Sequence, residues 1–504
     1  MSDYDLIIVG AGSAGAVIAT RVTEDASQRV LLIEAGPDYP DEASLPDDLK
    51  NGNHNSVFRH DWGFHYQPTA GNSGNVPLPR GKVTGGSSAV NTAIALRGQP
   101  GDYDGWAAMG LPEWSWEKCL PAFKRLETDQ DIQNDLHGAD GPITIHRPDD
   151  LVPFQQAFLD ACQTMGYAEC PDHNDPTTTG YGPHPMNKRG RLRISTALAY
   201  LMPARKRPNL VIRPDTHVLR VVIAGGKTTG LEVETDGVRE TISGSRILLS
   251  AGSIQTPPIL IRSGIGPRDV LERLGISITR EAPVGARLYD HPATLISLVP
   301  KPDIADRGQP LIQTPLRYTA EGSSDENDMQ LEPISFVQRG QPDDLLVGLA
   351  PVVEKTRGHG RLVFESADPY AQPLIQPDFL NDSWDEERMM EGIDITLKMC
   401  ETSAIKAVTE SIVWPREEVI ADRAKLRSWA RRASGSGYHP CSTAPMGAAD
   451  DEGAVVDQYG RVYGVDGLFV ADASIMPAIP RANINIPTIM IGERFGEWFR
   501  EGMI

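Results

Sequence analysis

Cysteine is scarce in this chain. Of 504 residues only Cys119, Cys162, Cys170, Cys400 and Cys441 are present, an odd number with no C-x-x-C pair. That excludes a disulfide framework or a structural zinc site as the organising device, and no metal is expected. Positive charge is also short. Lys plus Arg is 48 against 68 Asp plus Glu, a formal net charge of −20. Such a chain is a poor partner for nucleic acid or an anionic membrane surface. No apolar run reaches the roughly 18 residues a membrane span needs. The opening MSDYD lacks the basic start and apolar stretch of a leader, so the expectation is a cytoplasmic protein, monomer or homodimer. The length suits two or three domains, and the ordinary apolar fraction suits a large core.

What the chain does have is a complete βαβ signature between Asp3 and Gly36. Leu6, Ile7, Ile8 and Val9 form the short apolar run of a buried parallel strand. Gly10, Gly12 and Gly15 follow as G-x-G-x-x-G, and Ala14 to Thr23 reads as a helix. Gly10 permits the tight turn, Gly12 lets a pyrophosphate approach the backbone, and Gly15 allows close helix packing. The helix start offers N–H groups and a favourable dipole to that diphosphate. A second apolar run, Val30 to Ile33, ends in Glu34, nineteen residues past Gly15. A carboxylate there accepts from ribose hydroxyls and repels a 2′-phosphate, which disfavours NADP.

The remainder reads as a doubly wound sheet with inserted segments. Gly36 to Gln67 is an extended excursion anchored by Asp61, Trp62 and Tyr66. Gly85 to Ser88 is a loop that leads into a helix start over Ala89 to Leu96. Arg193 to Met202 is a helix ended by Pro203 and Pro208. Leu210 to Arg213, Val218 to Ile223 and Gly230 to Glu234 form an antiparallel meander. Arg246 to Ser250 is a second buried strand, running into a helix capped by Ser253 with Pro257 in its first turn. Residues 300–327 read as a mobile loop or lid. Met329 to Val337, Leu345 to Val353 and Leu362 to Glu365 have no crossover helices between them, so they imply a second domain with an antiparallel sheet. Asp385 to Val408 and Arg423 to Ala433 are helical. Gly467 to Ser474 returns as a strand, and Pro487 fits the first turn of a final helix.

Several blocks resemble the glucose–methanol–choline family of flavin oxidoreductases, in order and over nearly the whole chain. They are GKVTGGSSAVN (81–91), GSIQTPPILIRSGIG (252–266), LYDHP (288–292), VDGLFVADASIMP (465–477) and NINIPTIMIGER (483–494). The resemblance implies an α/β fold: a Rossmann-like FAD-binding domain in discontinuous segments (1–150, 195–295, 436–504) and a substrate domain on an antiparallel sheet (151–194, 296–435). It implies FAD, with Gly10, Gly12, Ser13, Ala14 and Gly15 at the pyrophosphate. Glu34 and Ala35 lie at the adenosine ribose, and Val218 contacts adenine through its backbone. Val83, Gly86, Asn91, Ala251 and Pro487 fall near the flavin half, with Asp472 and Ala473 beside the ribityl and phosphate part.

For chemistry the resemblance points to His439 and Asn485. His439 is the expected base for the alcohol proton, since neutral imidazole suits that task near pH 7. Asn485 is expected to hold the substrate oxygen, with helix capping as its bland alternative. His291 reads as structural. The active-site loop reads HPCSTAPMG, with Ser442 and Ala444 in place of the family's glycine and cysteine, and Thr84 replaces an apolar residue. Val90 stands where some members carry the histidine that bonds FAD, so FAD is expected to be non-covalent. The reading is an alcohol oxidase taking a small aromatic or heteroaromatic primary alcohol, with oxygen as acceptor. A dehydrogenase using another acceptor, on choline-type or aliphatic alcohols, and a hydroxynitrile lyase with structural FAD stay open.

Overall fold

Four successive apolar residues without polar alternation need cover on both faces, and Leu6–Val9 has it: every residue of this strand is buried. It is the middle of a five-stranded parallel sheet. The order runs Leu210–Arg213, Val30–Ile33, Leu6–Val9, Ile247–Leu249, Leu468–Val470. The structure is a computed structural model describing residues 4–69, 74–341 and 344–504; Asp3 lies outside them. Leu210–Arg213 is thus an edge of the parallel sheet, not part of the meander the sequence suggested. The meander itself is Thr216–Ala224, Lys227–Thr235 and Val238–Ser243. An apolar β-run cannot reveal which neighbour it pairs with.

The helix Gly15–Val22 packs on the sheet, and the last helix, Asn485–Arg500, packs on it in turn. Glu493 of the last helix is fully buried, yet its carboxylate is fully engaged. Arg21 donates to it at 2.9 Å, Arg125 at 2.8 Å and Tyr200 at 2.7 Å. Buried charge is tolerable only when paired this way. The ties fix the last helix against the first, and so fix where its N-terminus points. A second buried ionic cluster sets Glu127, Asp129 and Asp172 against Arg97, Arg147 and His137. Its three acids and three bases neutralise one another, with the His137 imidazole pushed up to about 10 by its carboxylate partners against the cost of burial.

An antiparallel sheet covers the open end of this layer. Its order is Thr409–Trp414, Ile296–Pro300, Leu345–Val353, Met329–Gln338, Leu316–Tyr318, Gly180–Tyr181. A smaller sheet joins Arg361–Val363 and Leu374–Gln376 to Phe64–Tyr66 and Val76–Leu78. Residues 300–327 are not irregular throughout. Leu316–Tyr318 is a sheet strand, and Leu311 donates its N–H to Asn53 at 3.0 Å. The long segment Asp385 to Val408 is two helices, Ser383–Cys400 and Ser403–Val408, the second capped by Thr402.

Three helix expectations differ locally. Ala89 to Leu96 is not helical beyond the single turn Gly86–Ala89. There Asn91 accepts the Ala93 N–H at 3.0 Å, and Ala93 sits at φ 62°. Such a side-chain turn competes with helix. Pro203 lies inside the short helix Met202–Ala204, which continues directly from the wider helical turn Ala197–Leu201, rather than ending one. In the helix Gly252–Arg262, Pro257 is in the second turn, and Ser253 does not cap it. The Gly252 N–H is received by Asp472 at 2.9 Å instead. Pro257 cannot bond the Ser253 carbonyl, and the Thr443 hydroxyl donates to it at 2.6 Å in its place.

Candidate active site

A cavity of about 580 Å³ opens beyond the carboxyl ends of Leu6–Val9 and Ile247–Leu249, and extends to the antiparallel sheet. These two strands flank the point where strand order reverses, the usual place for a ligand in a doubly wound sheet. The three glycines there have different reasons. Gly10 has φ 100°, and a Cβ on it would lie 2.3 Å from the Ser250 oxygen. A Cβ on Gly15 would lie 2.0 Å from the Gly10 oxygen. Both are demanded by the fold. Gly12 is not: the nearest atom to its Cβ would be Gly86 Cα at 3.8 Å. Its bareness leaves the cavity floor flush with the backbone, which suits a diphosphate.

Gly10, Gly12, Ser13, Ala14, Glu34 and Ala35 line this wall, with Gly86, Asn91, Val218, Ala251, Asp472 and Ala473 around them. Three expected contacts stand behind it. Gly15 packs the helix on the turn, Val83 is buried among Leu49, Ala89 and Val90, and Pro487 is buried in the first turn of the last helix. Glu34 receives the N–H of Ala11 at 3.0 Å and of Gly36 at 2.9 Å. Burial raises its carboxyl to about 7, against the pull of those donors. Asp472 gathers the donors of Gly252, Thr256 and Ser474 and so joins two strand ends.

His439 sits on a loop that two segments clamp. Asp290 receives the His439 N–H at 2.9 Å, and the His291 carbonyl receives the Gly437 N–H at 2.7 Å. Tyr289 and Cys441 exchange backbone hydrogen bonds across the same pair. On the other side Ser253 donates to the Pro440 carbonyl at 2.5 Å. The cost of this fixation shows at Tyr438 and Ser442, non-glycine residues at φ 67° and 69°.

Asn483, not Asn485, stands beside His439. Its Nδ2 lies 3.1 Å from His439 Nε2. Asn485 turns to the glycine-rich turn and receives the Ser13 hydroxyl at 2.9 Å. Helix begins at Asn485, so side chains two residues apart across that boundary diverge. Nothing in N-I-N distinguishes the two asparagines; only the helix start does.

The second residue that the sequence did not mark for the site is His291, which is fully buried with Nδ1 2.9 Å from His439 Nδ1. The Asn483 amide donates to His439 Nε2, which keeps that nitrogen an acceptor and the proton on Nδ1, where it donates to His291. Burial, with His291 and Arg80 nearby, holds the His439 imidazole well below its ordinary value; His291 is lowered to about 4 by burial. Both rings are therefore neutral near pH 7. The pH profile of flavin reduction is expected to show no acid limb from His439 above pH ~6.5, the ordinary histidine value. Anaerobic stopped-flow rates between pH 6 and 8 check this; a limb centred near 6.5 would refute it.

Residues 4–293 and 356–492 match the N- and C-terminal models of the GMC oxidoreductase family. The chain is 33% identical to the 5-(hydroxymethyl)furfural oxidase of Methylovorus sp., over 98% of each. It is 33% identical to the oxygen-dependent choline dehydrogenase of Photobacterium profundum, over 97% of this chain and 92% of the relative. Its fold superposes on the crystal structure of pyridoxine 4-oxidase from Mesorbium loti with a TM-score of 0.91 at 27% identity, over 99% of each. The chain belongs to the GMC oxidoreductase family. It is an FAD-dependent oxidoreductase of the alcohol oxidase and dehydrogenase type, acting on CH–OH donors. The bare floor at Gly12, the Glu34 carboxylate and the Asn485 Nδ2 on the cavity wall, unpartnered among the described residues, fit the dinucleotide. Among the described residues, no helix is long and apolar enough to cross a membrane.

Proposed function

We propose that this enzyme oxidises a small primary alcohol, aromatic or heteroaromatic, to its aldehyde and passes the electrons to oxygen, releasing hydrogen peroxide. The observation that carries the reading is the His439 Nε2–Asn483 Nδ2 pair, 3.1 Å apart on the wall of the dinucleotide cavity. An alcohol oxygen that displaces this hydrogen bond and lies within reach of both groups accepts from the Asn483 amide and gives its proton to Nε2. Bound FAD supplies the acceptor for the hydride that the carbinol carbon then loses. Asn483 also stabilises the developing alkoxide, and His291 receives the Nδ1–H of the imidazolium as it forms. Leu295, Ile312, Ile334, Ala350 and Val352 give the cavity an apolar side on which a flat ring can lie. The oxygen-using and oxidase relatives support the choice of acceptor.

Anaerobic visible spectra of the purified protein, titrated with a panel of alcohols, test the reading. Bleaching by one alcohol, followed by recovery and peroxide on admitting air, is expected. A flavin that no alcohol bleaches would sink the alcohol reading, and slow reoxidation in air would sink the oxidase reading. FAD is expected to be held without a covalent bond, because Val90 offers only hydrocarbon to the cavity. Acid precipitation should leave all the flavin in the supernatant; yellow protein in the pellet would contradict this.

A further inference from the structure

The substrate end of the cavity has a polar patch whose sign is one-sided. Along Met329–Gln338 the period-two alternation turns Gln330, Glu332 and Ile334 to the cavity. Val352 and Ala350 lie opposite the first two in register, and Glu354 follows directly on the same face. Gln330 and Glu354 are each 1% exposed. The Gln330 amide donates to Glu332 at 2.8 Å. A carboxylate only accepts, so this bond fixes which way the amide faces and leaves the Gln330 oxygen without a donor among the described residues. Glu354 Oε2 also lacks a donor there, as does the Asn483 oxygen. Three such acceptors around the cavity, two of them deeply buried, are costly unless a ligand brings donors.

The charge balance narrows that ligand. Lys355 and Arg481 are committed to Asp102 at 3.0 Å and 2.9 Å. Arg317 gives its terminal N–H groups to the carbonyls of His173 and Arg481. His184, 3.5 Å from Glu332, is buried with its imidazole held below the ordinary value, so it adds no charge. Two carboxyl groups therefore face the cavity, while Lys355, Arg481 and Arg317 are engaged elsewhere and Arg80 donates to the Tyr438 carbonyl. Burial first, and then Glu332 and Asp102 against the pull of Arg317, raise the Glu354 carboxyl to about 8, so near pH 7 Glu332 carries the standing charge and Glu354 releases its proton to solvent when a cation arrives. The patch is also close to the reacting end. Glu354 Oε2 is 3.6 Å from His291 Nδ1, which is 2.9 Å from His439.

We propose that the substrate is a compact alcohol carrying a protonated nitrogen, whose N–H groups are received by Glu354, Glu332 and Gln330 while its carbinol meets His439 and Asn483. This rests on the alcohol-oxidising reading above. A neutral diol would satisfy the acceptors but not the charge, and a quaternary ammonium would satisfy the charge but bring no N–H.

The test uses matched primary alcohols with the holoenzyme: 3-aminopropan-1-ol against butan-1-ol, and 4-(aminomethyl)benzyl alcohol against 4-ethylbenzyl alcohol. Choline and butane-1,4-diol are the other two arms. Binding is read anaerobically from perturbation of the flavin absorption, and turnover from flavin reduction. At least one N–H cation should be preferred over its isostere by about tenfold or more in binding, the scale of a charge-assisted hydrogen bond. Glu332→Gln and Glu354→Gln should reduce that ratio about tenfold, with the bound-flavin spectrum reporting that each variant is folded. Equal binding of cation and isostere would overturn the proposal, as would preference for choline or the diol. A ratio unmoved in both variants would overturn it too. Selective binding of an amino alcohol without any flavin reduction would support the cation site while sinking the alcohol-oxidising reading.

Discussion

His439→Ala lowers the rate of flavin reduction by alcohol about 10²- to 10⁴-fold, the range expected for loss of a positioned general base, and leaves FAD bound. The base can be separated from the scaffold because the loop does not depend on the ring. Asp290 holds the backbone N–H of residue 439, the His291 carbonyl holds Gly437, and Ser253 and Thr443 tie the following residues to the helix Gly252–Arg262. An alanine therefore keeps the loop path and removes the acceptor at Nε2 together with the Nδ1–H given to His291. With no imidazole at 439 to take the proton, raising the pH should not restore the variant until the alcohol ionises by itself. Anaerobic stopped-flow with wild type and variant measures the ratio, and the flavin spectrum confirms occupancy. A rate within a few-fold of wild type would show that another group takes the proton.

Gly12→Val abolishes tight FAD binding while the apoprotein keeps its fold. The three glycines of the turn make this a controlled comparison. Gly10 is at φ 100°, where a methyl group would stand 2.3 Å from the Ser250 oxygen, and a methyl group on Gly15 would meet the Gly10 oxygen at 2.0 Å. Side chains at either place disrupt the strand–helix unit itself. At Gly12 the nearest atom would be 3.8 Å away, an ordinary contact, so a Cβ is accepted by the fold and the side chain occupies the cavity floor. It holds the diphosphate off the backbone donors. Each charge-assisted hydrogen bond lost weakens FAD binding about tenfold to a hundredfold. Thermal melting of the apoprotein should match wild type within about 1 kcal/mol, the scale of an exposed substitution, while FAD titration shows the loss. A variant that melts early in the absence of FAD would place Gly12 with the structural glycines.

The same comparison shows how a motif can be legible while its parts are not. G-x-G-x-x-G announces the turn, but the spacing cannot say that two glycines serve the chain and one serves the ligand. At the other end, N-I-N marks the start of the last helix as part of the site. Resemblance singled out Asn485, and the helix boundary brings Asn483 to His439 while Asn485 binds Ser13. His291 gave no signal at all beyond its block. A buried histidine before a proline reads as packing until the loop carrying His439 folds across it and sets the two Nδ1 atoms 2.9 Å apart.

Local chemistry determined the rest. Buried apolar runs placed Leu6–Val9, Val30–Ile33 and the strand after Arg246, because a strand covered on both faces carries no polar alternation. The turn after Val9 and the acid at 34 followed from conformational freedom and charge at fixed spacing, and the blocks at 81–91, 252–266 and 465–477 identified the family. All of these signals are contiguous in the chain. Tertiary structure alone decided what depends on distant residues meeting. It made Leu210–Arg213 a parallel edge strand instead of a meander strand, and let Asp472 and Thr443 serve the helix at 252 where Ser253 does not. It also gathered Gln330, Glu332 and Glu354 on one wall with His291 and His439. Hydrogen bonds and burial between segments hundreds of residues apart leave no periodicity in the sequence, so they become visible only when the sheets close over the cavity.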